Sequence, residues 1–110
     1  MSNHEETSRM YHKQGNNCST SINKAFEKDT NISKDFPMPR SIDGKCGALL
    51  TSLKILKEMG HEYKQEEFEK EFINKFGYNK CLELMKHERR CNDYVGECAK
   101  MLDKILNIVY

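Results

Sequence analysis

In the stretch CNDYVGECAKMLDKILNIV, residues 91–109, the apolar side chains of Tyr94, Cys98, Met101, Leu102, Ile105, Leu106 and Val109 recur at steps of three and four. That is the period of an α-helix with one buried stripe. Asn92 or Asp93 stands where an N-cap belongs, so the spacing predicts a helix from about Asp93 to Val109. The same reading extends toward the amino terminus. A helix is expected to start at Asp43 as N-cap and stop at Gly60, burying Leu49, Leu53, Leu56 and Met59. Between Gln65 and Phe76, ended by Gly77, the apolar face is Phe68, Phe72, Ile73 and Phe76, and Glu66, Glu67, Glu69, Lys70 and Glu71 read as a solvated face.

Shorter helices are expected after Asn79, with Leu82 and Met85, and after Cys18, with Ile22, Ala25 and Phe26. A weaker helical stretch covers part of Glu5 to Lys13. Both prolines lie in Phe36-Pro37-Met38-Pro39, which makes Asp29 to Ile42 the longest loop. No alternation argues for a sheet. The expected fold is all-α, a small irregular bundle of four to six helices in a single domain over residues 1–110, with 1–9 flexible or poorly packed.

Composition narrows the function. With 110 residues there is room for one modest core and no deep interdomain cleft. Lys and Arg number 18 against 17 Asp and Glu, a net charge of +1, so no global field exists to hold a nucleic acid. No apolar run is long enough to span a membrane and no leader is evident, which points to the cytoplasm, where thiols stay reduced. A homodimer through a self-complementary helix face suits a chain this small.

Five cysteines, Cys18, Cys46, Cys81, Cys91 and Cys98, are many for this length, and the odd count argues against a secreted disulfide framework. On the helix map Cys18, Cys46, Cys81 and Cys91 fall at or near helix N-termini. Amide groups and the helix dipole there stabilise a thiolate, with Lys45 acting on Cys46 and Arg89 and Arg90 on Cys91. Cys98 lies in phase with Tyr94, Met101, Leu102 and Ile105 and reads as core. No Cys-x-x-Cys pair is present, so a site must be assembled from distant segments. The histidines are scattered, and only His87, six residues from Cys81, stays a candidate.

Asn17-Cys18, Gly44-Lys45-Cys46-Gly47-Ala48, Phe76-Gly77 with Cys81-Leu82-Glu83-Leu84, and Cys91-Asn92-Asp93-Tyr94-Val95 resemble, in order and spacing over about Met10 to Leu106, the redox-active proteins named for their C_GCAxxG_C_C pattern. The resemblance places Cys18, Cys46, Cys81 and Cys91 at the family cysteines and leaves Cys98 as an extra. It implies an all-helical fold and thiol redox or electron transfer. Two departures stand out: Phe36 to Ile42 replaces a glycine-rich stretch, and Thr51 replaces a small glycine. The expectation is therefore an oxidoreductase or electron carrier in which the four cysteines are the catalytic, cofactor-binding or metal-holding residues. They would either cycle as dithiol and disulfide with no cofactor or hold an iron–sulfur cluster, with zinc a weaker fit. Its partner would be a redox protein or a small thiol. The alternative is a structural zinc-binding or helical protein-interaction module without turnover.

Overall fold

The computed structural model describes residues 4–27, 30–87 and 91–106, with Met85 and His87 described in backbone alone. Six α-helices appear: α1 (His4–Lys13), α2 (Cys18–Glu27), α3 (Gly47–Glu58), α4 (Gln65–Phe76), α5 (Cys81–His87) and α6 (Cys91–Leu106), with a 3-10 turn at Glu62–Lys64. Among the described residues there is no strand, only an isolated antiparallel bridge between Lys45 and Lys80. The all-α irregular bundle is thus observed.

The most strongly periodic stretch takes the central place. α6 buries Tyr94, Val95, Cys98, Ala99, Met101 and Leu102 and packs on α1, α2 and α3. It starts at Cys91, two residues before the expected start, so Asn92 and Asp93 occupy its first turn. Their side chains are taken by Arg9 of α1, which donates to Asn92 Oδ1 at 3.2 Å and Asp93 Oδ1 at 3.0 Å. The expected continuation to Val109 lies beyond the described residues.

α3 starts later than expected, and Asp43 does not cap it. Arg40, Asp43 and Gly44 take left-handed backbone angles (φ 67°, 52° and 70°). They form a tight turn in which Arg40 N donates to Lys45 O and Lys45 N to Ile42 O, both at 3.0 Å. A right-handed helix can begin only once this turn is passed, which makes Cys46 the N-cap. Leu49 and Leu56 are buried as expected, Leu53 and Met59 only partly, and Ile55 joins them because α2, α4 and α6 cover α3 on several sides. Gly60 at φ 84° ends α3, and Gly77 at φ 87° ends α4, where an L side chain would be strained.

In α4 the aligned residues are Phe68, Phe72 and Phe76, four apart, while Ile73 is turned out and exposed. Phe76 meets Tyr94 of α6 edge-on at 4.7 Å, joining α4 to the centre. Glu69 departs from the solvated face: it is half-buried and bonded to Lys45 and Asn79, each at 2.9 Å.

The reading of 1–9 as poorly packed is corrected from His4 onward. His4 is buried, stacks on Phe26 at 4.0 Å and an interplanar angle of 11°, and bonds Asp103 Oδ1 at 2.6 Å. The mixed polarity of the segment hid this, because its anchors are a histidine, a serine and an arginine. Ser8 is fully buried, and Arg9 lies across Gly96, where a Cβ would fall 2.0 Å from Arg9 Nε.

The long loop is pinned too. Ser33 donates to Glu58 through its backbone N at 2.7 Å and its Oγ at 2.8 Å, and Lys54 Nζ reaches Ser33 O at 2.9 Å and the buried Asn23 at 2.6 Å. Burial pushes the Glu58 carboxyl up, but the Ser33 and Lys54 bonds outweigh it and hold it below the usual carboxylate range. A lowered folded-state pKa adds stability above the unfolded value that is lost as pH falls through the folded one.

Replacing His4 by Ala is expected to lower stability by about 1–3 kcal/mol, read as a shifted denaturant midpoint, because it removes a ring stack and leaves Asp103 without its histidine. Glu58→Gln should lower stability near neutral pH and flatten its fall below about pH 5, where the native chain loses the anchor.

Candidate functional site

Each of the four candidate cysteines stands at the start of a helix. Asn17 caps α2 by accepting from Thr20 N at 2.7 Å, which puts Cys18 at the first helical position. Cys46 is the N-cap of α3, and Cys81 and Cys91 open α5 and α6.

Two features bring these helix starts together. The first is Gly47: a Cβ there would lie 2.5 Å from Ser19 Oγ and 2.8 Å from Pro39 Cγ, so only glycine lets α3 begin against the first turn of α2. The second is the bridge around Lys45 and Lys80, in which Cys46 N donates to Asn79 O and Cys81 N to Gly44 O, each at 2.9 Å. Glu69 clamps both sides of that bridge through Lys45 and Asn79.

All five cysteines are thiols. The Cys18 thiol lies beside those of Cys46 and Cys91, and these neighbours, followed by burial, push its pKa far up. Cys46 goes the other way. The Cys18 bond favours its anion, burial opposes that, and the Leu49 and Ala48 amides add to the lowering. No amide makes a close capping hydrogen bond to the Cys46 side chain, so these N–H groups act through their charge on a large, diffuse sulfur. Burial raises the Cys81 pKa, aided by Cys46 and Cys91 and opposed by the Arg40 guanidinium. Burial holds the Cys98 thiol well above the ordinary range, with the neighbouring Ser52 opposing the rise.

The structure therefore brings together Cys18, Cys46 and Cys91, places Cys81 beside them, and keeps Cys98 in the core behind. The expectation that helix starts depress every thiol is corrected. Cys46 is lowered, while Cys18 and Cys81 are raised, because burial and neighbouring thiols outweigh the helix dipole there. Lys45, the residue expected to act on Cys46, is paired with Glu69 at 2.9 Å. Arg89, Arg90 and the His87 side chain lie outside the described residues. Arg40 and Glu69 went unnoticed in the sequence. The only signal for either was Arg40's place in a turn six residues ahead of Cys46.

Among the described residues no three His, Cys, Asp or Glu side chains form a group that would hold a metal ion. The cysteines as arranged do not form the close tetrahedral group that a single zinc ion needs. Among the described residues no helix is long and apolar enough to cross a membrane. No family model, curated protein or solved structure matches the chain.

Gly47→Ala is expected to cost about 1–3 kcal/mol in a denaturant titration, because the clash falls partly on the Pro39 backbone, 3.1 Å away at Cα. By parting Cys18 from Cys46 it should also raise the pH at which the thiolate ultraviolet absorbance appears.

Proposed function

We propose that this protein is a thiol redox protein in which Cys18 and Cys46 form the working dithiol, with Cys91 and Cys81 as adjoining thiols. The observation that carries the reading is the close approach of the α2 and α3 starts at Gly47, which sets the Cys18 thiol beside Cys46, whose anion is favoured. A nucleophilic thiolate held against a protonated partner is the arrangement that disulfide formation needs. The resemblance to the C_GCAxxG_C_C proteins points the same way, as does a count of five cysteines in 110 residues.

In the reaction, an oxidised partner protein or small disulfide accepts two electrons. Attack by a thiolate splits the substrate disulfide and leaves a mixed disulfide on the protein. A second protein sulfur then displaces the remaining substrate thiolate, and exchange among the protein sulfurs ends in the Cys18–Cys46 bond. Cys18 releases its proton to the departing thiolate, and solvent supplies the other. The products are two substrate thiols and one protein disulfide. In reverse, an external dithiol or two small thiols restore the reduced pair.

Peptide mapping after mild oxidation with a disulfide reagent should find a Cys18–Cys46 link and the loss of two titratable thiols. Modification of each cysteine separately, or iron with sulfide or stoichiometric zinc in anaerobically purified protein, would overturn the reading. With hydrogen peroxide as the oxidant, the rate of Cys46 oxidation should fall as pH drops through the lowered Cys46 pKa, because the nucleophilic anion is protonated. Cys18→Ala should move that fall to higher pH, since the bond favouring the anion is gone.

A further inference from the structure

Building on the dithiol reading, we propose that Cys81 is the thiol at which oxidised substrates enter this site, and that Arg40 beside it selects small disulfides carrying carboxylate groups. Exchange requires three sulfurs to approach in line, so the first attacking thiol must be reachable from solvent. Cys46 is not, at 2% exposure, and the Cys18 thiol is turned inward toward Cys46 and Cys91. Cys81 is half-buried and sits between two exposed residues, Lys80 and Leu82. The paired backbone bonds Cys46 N to Asn79 O and Cys81 N to Gly44 O fix it beside Cys46.

The charge around Cys81 sets the substrate class. Arg40 is exposed, forms no ion pair with a carboxylate among the described residues, and is held by the left-handed turn whose last residue joins the bridge. Its guanidinium is near enough to favour the Cys81 anion against burial. Lys45 is neutralised by Glu69, while Arg40 and Lys80 are exposed cations on the segments that carry Cys46 and Cys81. Asp43 and Glu83 are exposed on the same segments but are not among the groups that act on Cys81.

The steps balance. Cys81 gives its proton to water and attacks one substrate sulfur, so the substrate S–S bond breaks and the first thiolate leaves. Cys46 attacks Cys81 Sγ, the second substrate thiolate leaves, and a Cys46–Cys81 disulfide remains. Cys18 then attacks Cys46 Sγ, restoring Cys81 and passing its proton to a released thiolate. The substrate disulfide is reduced by two electrons, and the Cys18–Cys46 pair is oxidised by two.

The test compares the rates of oxidised glutathione (anionic) and cystamine (cationic) with reduced full-length protein, and includes hydrogen peroxide, which needs no outer thiol. The native chain should react faster with the anionic probe, and Arg40→Gln should reduce that preference by about threefold. Cys81→Ser should slow glutathione disulfide at least about tenfold yet still give the Cys18–Cys46 bond with peroxide. In Cys46→Ser the mixed disulfide should accumulate on Cys81, a mapping that holds even where Cys81→Ser fails to fold. An unchanged rate in Cys81→Ser, a mixed disulfide on Cys18 or Cys91, or an unchanged charge preference in Arg40→Gln would overturn the entry proposal and leave the dithiol reading standing. Absence of a Cys18–Cys46 bond with every oxidant in the native chain would overturn both.

Discussion

At the start of α3 there is no room for a side chain. A methyl group on Gly47 would meet Ser19 on one side and Pro39 on the other, both inside van der Waals contact. This close approach holds the first turns of α2 and α3 together and seats the Pro39 end of the long loop against them. The cysteine before Gly47 then caps α3, and the cysteine before Ser19 opens α2. Neither sulfur would meet the other if the two helix starts were held a side chain apart. The bridge from Gly44–Cys46 to Asn79–Cys81 adds the start of α5 by backbone bonds alone, and Glu69 reaches from α4 to hold it.

Gathering helix starts has an electrostatic consequence. Each carries partial positive charge on unsatisfied amides, and several such ends facing one another repel. A single thiolate among them relieves that repulsion, whereas a second would face the first at short range in a poorly hydrated site. The opposite shifts of Cys46 and Cys18 follow from this: one anion is favoured, and the neighbouring thiol keeps its proton and donates it. Proximity to one another therefore sets the direction of these thiol shifts more than position at a helix start does.

Much of this was legible in sequence because it rests on period and punctuation. The three- and four-residue recurrence in 91–106, the Gly60 and Gly77 stops and the helix-start cysteines are local signals and appear as expected. What was not legible depends on distant partners. Asp43 looked like a cap because its type suits one, but the bond from Arg40 to Lys45 commits the segment to a left-handed turn. Glu69 looked like one more solvated acid in a charged run, and only the fold brings Lys45 and Asn79 to it. His4 sat in a polar terminus whose burial becomes visible only once Phe26 and Asp103 are brought beside it. The directions of the thiol shifts were likewise unreadable, since they depend on which sulfurs touch.

The same contacts bear on the direction in which the pair would run. The neighbouring Cys18 thiol and the α3 amides favour the Cys46 anion of the reduced form and have no counterpart once the two sulfurs are joined, because the disulfide carries neither the anion nor the proton. Each unit by which a thiolate pKa is lowered is worth about 1.4 kcal/mol, or about 30 mV in a two-electron couple. Stabilising the reduced form raises the potential, so a Cys18–Cys46 disulfide would be the more readily reduced partner in an exchange. Burial of Cys46 works against this by penalising the anion, but its lowered pKa means that the hydrogen bonds prevail. On this argument the fold favours the dithiol as the resting form, with the disulfide as a transient acceptor of electrons.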